Sequence, residues 1–263
     1  MGLRPRDSLF DIEHRVVVLT GACGRIGEPL ARCFHDRGAR LVLTDVHGSG
    51  VDRVAAEMAD TAVSLSCDVS KADDVQALVE LALSRWGRVD VLVNSHQHRP
   101  QGWSESKPED FSEDLWDAIM NVNLKGTFLT CREFGRVMLR QGKGSIINLA
   151  STYGVVSSNP ALYDGTTLGN PLAYTASKGG VIMLTKYLGA HWSSRGVRVN
   201  CVTPHGVASN QEPAFIQRFS SMSPMARLMK VEELFGAVLF LATDASSYAT
   251  GSNLLVEGGW TAW

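Results

Sequence analysis
The sequence predicts an α/β protein, a single domain built on a doubly wound, parallel, seven-stranded sheet flanked by helices. Three observations carry that expectation. Short, continuously apolar or β-branched runs alternate with longer helical patterns along the whole chain, the signature of strands buried on both faces and joined by crossover helices. A glycine-rich turn joins the first apolar run to the first helical pattern. The 263 residues suit one large domain, and no low-complexity segment, short repeat or linker divides them.

The elements follow in order. After a charged N-terminal arm, residues 1–13, strands are read at Val16 to Leu19, Leu41 to Leu43, Ala62 to Leu65, Val89 to Val93, Ser145 to Leu149, Val197 to Val202 and Asn253 to Val256. Helices are read at Ile26 to Arg37, Gly50 to Ala59, Ala72 to Trp86, Glu113 to Arg140, Leu172 to Ser194 and Val231 to Leu241. Three long polar stretches, Asn94 to Ser112, Thr152 to Pro171 and Thr203 to Met229, each follow a strand. Ligands of open α/β sheets sit beyond the carboxyl ends of the strands, so the three are expected to wall one pocket.

Composition narrows the function classes. A net charge of −2 and a pI near 6.4 give no basic field for nucleic acid or an anionic membrane surface. The arm lacks the apolar stretch of a signal peptide, Arg6 breaks the myristoylation pattern, and no run approaches the roughly 20 apolar residues of a membrane span. Five scattered cysteines without a C-x-x-C pair fit a reducing cytoplasm better than a disulfide framework. His96 and His98 lack a ligand partner at zinc-site spacing, so no metal is expected.

The first strand runs into Thr20, Gly21, Ala22, Cys23, Gly24, Arg25, Ile26 and Gly27 before a helix. Glycines let the backbone approach a pyrophosphate, and the helix N-terminus offers it free N–H groups. The next strand ends in Asp45, 24 positions past Gly21, where a ribose-binding carboxylate belongs in a Rossmann-type site. Such a carboxylate accepts hydrogen bonds from ribose hydroxyls and repels a 2′-phosphate, so NAD is expected over NADP. Arg25 pulls the other way, since a guanidinium there can bind phosphate or point into solvent. Two readings stand for Asp68, Val69 and Asn94: contact with adenosine, or local backbone capping.

Tyr174 and Lys178 are four apart on a helix, which stacks a phenol and an ammonium on one face. A nearby lysine charge favours the phenolate and makes tyrosine a usable acid-base group. With the Thr20 to Gly27 turn, Asp68-Val69, Asn121-Val122-Asn123, Ser151 after Gly144 to Ala150, and Asn200 to Val207, the chain resembles the short-chain dehydrogenase/reductase family over residues 10–263. The resemblance implies a catalytic tetrad of Asn123, Ser151, Tyr174 and Lys178. In it Tyr174 exchanges the substrate proton, Ser151 holds the substrate oxygen, Lys178 also binds the nicotinamide ribose, and Asn123 keeps a kinked helix and an ordered water. It further implies that Pro204, Val207 and Ser209 meet the nicotinamide end, and a homotetramer formed through the helices at 113–140 and 172–194 and the last strand.

The chain departs from the family pattern in four places. Arg25 replaces a glycine, Asn94-Ser95-His96-Gln97 replaces Asn-Asn-Ala-Gly, and Pro204-His205 replaces Pro-Gly. Ser151 and Tyr174 are 23 positions apart, a longer gap than the family commonly has. The additional loop, 152–171, is expected to fold over the substrate or a neighbouring subunit, and 203–229 to form a substrate lid. Tyr153, Ser157, Ser158, Asn159, Tyr163, Asp164, Thr166 and Thr167 in the first, with His96, His98, Trp103, Asn210 and Gln211 elsewhere on the rim, suit a polyhydroxylated small molecule better than a steroid or acyl chain, which needs a more continuous apolar wall. The ending Glu257-Gly258-Gly259-Trp260 resembles sugar-acid dehydrogenases, and the insertion and the run 209–213 resemble a branch tied to bacterial surface-sugar synthesis. A carbohydrate, polyol or sugar-acid alcohol is therefore the expected substrate. A 3-oxoacyl-thioester reductase is the competing enzyme, and a catalytically idle dinucleotide sensor the competing class.

Overall fold
The computed structural model describes residues 8–104, 107–163, 169, 172–209 and 211–262. Its strands are β1 (Val16–Thr20), β2 (Arg40–Asp45), β3 (Ala62–Ser66), β4 (Val91–Asn94), β5 (Gly144–Leu149), β6 (Val197–Pro204) and β7 (Asn253–Val256). The helices are α1 (Gly27–His35), α2 (Val51–Ala56), α3 (Ala72–Trp86), α4 (Glu113–Met120), α5 (Thr127–Gln141), α6 (Leu172–Trp192), α7 (Pro213–Ser221) and α8 (Phe235–Ala242). All strand pairs are parallel, in the order β3-β2-β1-β4-β5-β6-β7. The expected single-domain, doubly wound sheet is what forms.

The period-2 pleat divides the apolar residues of each strand between two cores. Val17, Leu19, Leu41, Leu43, Val91 and Val93 join Leu30 and Phe34 of α1 and Val238 of α8 on one face. Val16, Val18, Val42 and Leu92 join Leu78 of α3 and Phe134 and Met138 of α5 on the other. Because both faces are covered, these strands read as unbroken apolar runs. The order reverses between β1 and β4, and the register Thr20↔Thr44, Thr20↔Asn94, Asn94↔Asn148 holds the carboxyl ends of four strands level there.

Three departures from the sequence expectation matter. The helix expected as one piece from Glu113 to Arg140 is two helices joined by a π-helical turn, Asn121–Gly126. The Thr127 hydroxyl donates to the Asn123 carbonyl at 2.8 Å and that of Thr130 to the Gly126 carbonyl at 2.9 Å, so side chains take up carbonyls in this stretch. The stretch 203–229, read as loop, contains α7, whose first-turn Pro213 and apolar Phe215, Ile216 and Phe219 were the overlooked signal. The helix expected at Val231 to Leu241 opens as a 3-10 turn, Val231–Leu234, before α8. Among the described residues no helix is long and apolar enough to cross a membrane.

Candidate active site
A cavity of ≈ 480 Å³ lies over the switch point, running from Asp45 and the glycine turn to Ser151, Tyr174 and Lys178. Each of the three rim stretches contributes lining residues, among them Gln97, Tyr153 and Val207.

At one end the backbone makes the site. Gly21 has φ +66 and packs on the following strand's loop, where a Cβ would stand 2.8 Å from the His96 backbone. A Cβ on Gly27 would stand 1.9 Å from the Gly21 carbonyl oxygen. No side chain caps α1 at Ile26; the Glu28 N–H donates to the Gly24 carbonyl at 3.1 Å and Pro29 has none, which leaves the Ile26 and Gly27 N–H groups to meet an anion. Asp45 is fixed by accepting the Cys23 and Val46 N–H groups, each at 2.8 Å. Open N–H groups, a glycine-tight turn and a strand-end carboxylate in one cavity fit a dinucleotide. Gly24, Arg25, Ile26, Val69, Pro204 and Val207 line the same cavity.

Other sequence candidates serve local structure. Asp68 accepts the Ser70 N–H and hydroxyl at 3.0 and 2.7 Å, which with Lys71 holds its carboxyl below the usual range despite partial burial, and it does not line the cavity. Asn94 is buried in a polar ladder behind the site: its amide donates to Asn148 at 2.9 Å, which donates to Thr185 at 2.9 Å. The Ser209 N–H donates to Gln211 Oε1 at 2.7 Å, closing a short turn off the cavity wall.

At the other end, α6 presents Tyr174 and Lys178 to the strand-end Ser151. The Ser151 hydroxyl is close enough to the phenol to lower its pKa, and its Oγ accepts the Tyr153 N–H at 3.2 Å. Lys178 is 3% exposed; its ammonium donates to the Leu149 carbonyl at 2.7 Å and stands 5.7 Å from the Tyr174 ring centre. The expected lowering of the tyrosine pKa by this lysine is not what the free site shows. Burial raises Tyr174 above its ordinary value, while Ser151 and Arg99 pull it down. Lys178 is itself pushed down to about 8, first by burial and then by repulsion from Arg99. Arg99 is thus a charge at the reacting groups that the sequence reading did not single out; its place five residues past a strand end in a rim loop was the available signal.

Asn123 is fully buried in the π-helical turn. Its Oδ1 accepts the His98 N–H at 2.7 Å and its amide lies 3.4 Å from the Ser177 hydroxyl. His96, expected among the substrate groups, is instead a strut: its Nδ1 lies 2.7 Å from the Thr20 hydroxyl and its Nε2 3.2 Å from that of Thr127. Since the Thr127 hydroxyl donates to the Asn123 carbonyl, the assigned tautomer carries its proton on Nε2 and accepts from Thr20 at Nδ1. Burial holds this ring neutral, with its pKa lowered to about 3.

The insertion divides likewise. Tyr153 and Tyr163 line the cavity with their hydroxyls 2.6 Å apart. Asn159 caps its own turn through the Ala161 N–H at 3.0 Å, and Ser157 donates to the Ser158 carbonyl at 3.3 Å. Asp164, Thr166, Thr167 and Asn210 lie outside the described residues. Sequence reasoning missed the aromatic wall: Tyr153, Phe215, Phe219 and Trp260 form a buried cluster, with His205 4.9 Å from Phe219 and 5.2 Å from Trp260.

The chain is similar to known proteins along nearly its whole length. Residues 21–261 match the family described as enoyl-(acyl carrier protein) reductase. The chain is similar to D-threitol dehydrogenase of Mycolicibacterium smegmatis, 33% identical over 261 residues that cover 96% of this chain and 95% of that one. It is also similar to galactitol 2-dehydrogenase (L-tagatose-forming) of Cereibacter sphaeroides, 35% identical over 264 residues, 97% and 98% of the two chains. Among solved structures, a gluconate 5-dehydrogenase of Burkholderia cenocepacia in complex with NADP and tartrate superposes with a TM-score of 0.87 at 29% identity, covering 97% of this chain and 98% of that one.

Proposed function
The chain belongs to the short-chain dehydrogenase/reductase family, oxidoreductases that act on CH–OH groups with a nicotinamide cofactor, and from that premise we propose that it interconverts a secondary alcohol and a ketone of a carbohydrate, polyol or sugar acid, using NAD. The observation that carries the reading is the convergence of Ser151, Tyr174 and Lys178 in the cavity that also holds the glycine turn and Asp45.

The bound cofactor supplies a hydride acceptor or donor. The protein does the rest. Asp45, the N-terminus of α1 and Lys178 would hold the dinucleotide, Val69, Pro204 and Val207 line the same cavity, and Asp68, Asn94 and Ser209 brace the surrounding backbone. Ser151 receives the substrate oxygen. In oxidation the hydroxyl proton passes to the Tyr174 phenolate as the carbinol C–H bond gives up its electron pair with the hydrogen; in reduction the phenol returns that proton. Burial raises the Tyr174 pKa, and the Ser151 hydroxyl and the Arg99 charge oppose that rise and so favour the phenolate. Asn123 positions the 95–98 segment through His98.

Asp45 supports NAD over NADP, since its carboxylate is fixed in the cavity while Arg25 is exposed. The relatives named for polyols support the substrate class. Exposed Phe128 on α5, Met183 and Tyr187 on α6 and Leu255 on β7 support a homotetramer, and five free thiols a reducing cytoplasm. The aromatic wall favours a second reading, reduction of a 3-oxoacyl thioester. One screen of the purified protein against sugars, polyols, sugar acids and a 3-oxoacyl thioester, with NAD(H) and NADP(H) in parallel and absorbance at the reduced nicotinamide as readout, tests both. Turnover of polyhydroxylated compounds with NAD is expected; exclusive turnover of the thioester, or tighter binding of NADP than NAD, would overturn the corresponding part.

A further inference from the structure
Charge is unevenly distributed around the cavity. Asp45 is the only carboxylate among its described lining residues, and it shares the glycine-turn end with Arg25. The reacting end holds two cations, Arg99 and Lys178, and no carboxylate among the described residues. Lys178 is buried and committed to the Leu149 carbonyl. Arg99 is different: the residue is exposed on the cavity wall, although burial of its guanidinium lowers its pKa, and it forms no ion pair among the described residues.

Its position is nonetheless fixed. The Gln97 amide, turned oxygen-first, accepts from Nε and Nη2, which orients one edge of the guanidinium and leaves the other unoccupied. The same group stacks 5.4 Å from the Trp103 ring centre, and that ring meets Tyr174 edge-on at 5.8 Å. Guanidinium, indole and phenol therefore form a continuous series ending at the reacting hydroxyl. A planar, pre-oriented cation with a free edge suits a carboxylate.

We infer that the substrate is a hydroxy acid, or the matching oxo acid, whose carboxylate pairs with Arg99 while Tyr174 exchanges the carbinol proton. This rests on the hydride-transfer reading above and selects sugar acids within it. A neutral polyol would cover the guanidinium on binding and give it no counter-charge.

The test compares an aldonate with the alditol of the same chain length and stereochemistry as substrates, with NAD, for the parent protein and for Arg99→Gln and Arg99→Lys. The parent is expected to favour the aldonate in kcat/KM by about tenfold or more, and Arg99→Gln to reduce that acid-to-alditol ratio by about 10–100-fold, mainly through KM, with Arg99→Lys restoring part of it. The pH at which alcohol oxidation rises should also move upward in Arg99→Gln, because a positive charge facing Tyr174 and Lys178 is gone. An unchanged ratio in Arg99→Gln, or a parent that prefers the alditol, overturns the inference. If neither compound turns over, the hydride-transfer reading fails separately, and calorimetric titration of the NADH-loaded protein with the aldonate decides the subsite: binding lost in Arg99→Gln sustains it, and no binding to the parent rejects it.

Discussion

The two ends of the cavity are built on different principles. The dinucleotide end is made by backbone: a turn only glycines can form at Gly21 and Gly27, and short side chains, Thr20 and Asp45, one step beyond buried strands. The substrate end is made by large side chains on long connections: Tyr153, Phe215 and Phe219 hold their places by packing on one another and on Trp260, and Trp103 packs edge-on to Tyr174. Local geometry fixes the first end, and tertiary packing fixes the second. Tyr174 stands where they meet.

Substituting that meeting point should have the largest effect. Tyr174→Phe is expected to lower kcat by about 10²–10⁴-fold, the range of a lost general acid-base group, with NAD affinity by calorimetry kept; near-normal turnover would remove the proton-handling role.

A paired experiment separates the ends. Gly27→Ala drives a methyl against the Gly21 carbonyl and should weaken NAD binding by about 100-fold, roughly 2.7 kcal/mol. Phe219→Ala should leave NAD binding within about threefold while costing about tenfold in kcat/KM for substrate. Equal losses of NAD affinity in both variants would show that the wall and the turn are one unit.

The strut between the ends gives a smaller, pH-dependent effect. Burial holds His96 at about 3 and His205 at about 4, both below the ordinary value of about 6.5. The unfolded chain therefore takes up protons that the folded chain refuses, so stability from these groups is complete above about pH 6.5 and is lost as pH falls toward 4. Melting temperatures measured from pH 7 to 4 should decline, and His96→Gln should flatten the decline; an identical slope would mean that the His96 ring does not titrate on unfolding. The smallest change is expected for Arg25→Ala, which is exposed beside Asp45: NAD affinity should shift by less than about threefold in a binding titration.

The same contrast explains what could be read in the sequence. Sheet, order of elements, glycine turn and the Tyr174/Lys178 pair follow from short-range patterns, apolar runs and a four-residue spacing, whereas Ser151 and Asn123 were legible through the family resemblance. Asp68 and Asn94 kept two readings because a carboxylate or amide at a strand end can turn either way; Ser70 holds the first, and Asn148, itself tied to Thr185, holds the second. His96 looked like a rim group because nothing in a linear sequence places Thr20 and Thr127 on either side of it. Arg99 and the Phe215/Phe219 face of α7 were hidden for the same reason: their meaning lies in contacts across dozens of positions.

The π-helical turn at Asn121–Gly126 sets a limit on how this chain can be edited. A π-helical turn closes its hydrogen bonds over five residues where an α-helix takes four, so it carries an extra residue, and a single deletion within it would let α4 and α5 merge into one regular helix. The repaired helix would be locally the better formed of the two. Asn123 would leave His98 and Ser177, and the gain in regularity would be bought with the register of the active site. Length variation in this family member is therefore tolerable in the rim loops and barred at this turn, where an extra residue acts as a spacer cut to a single size.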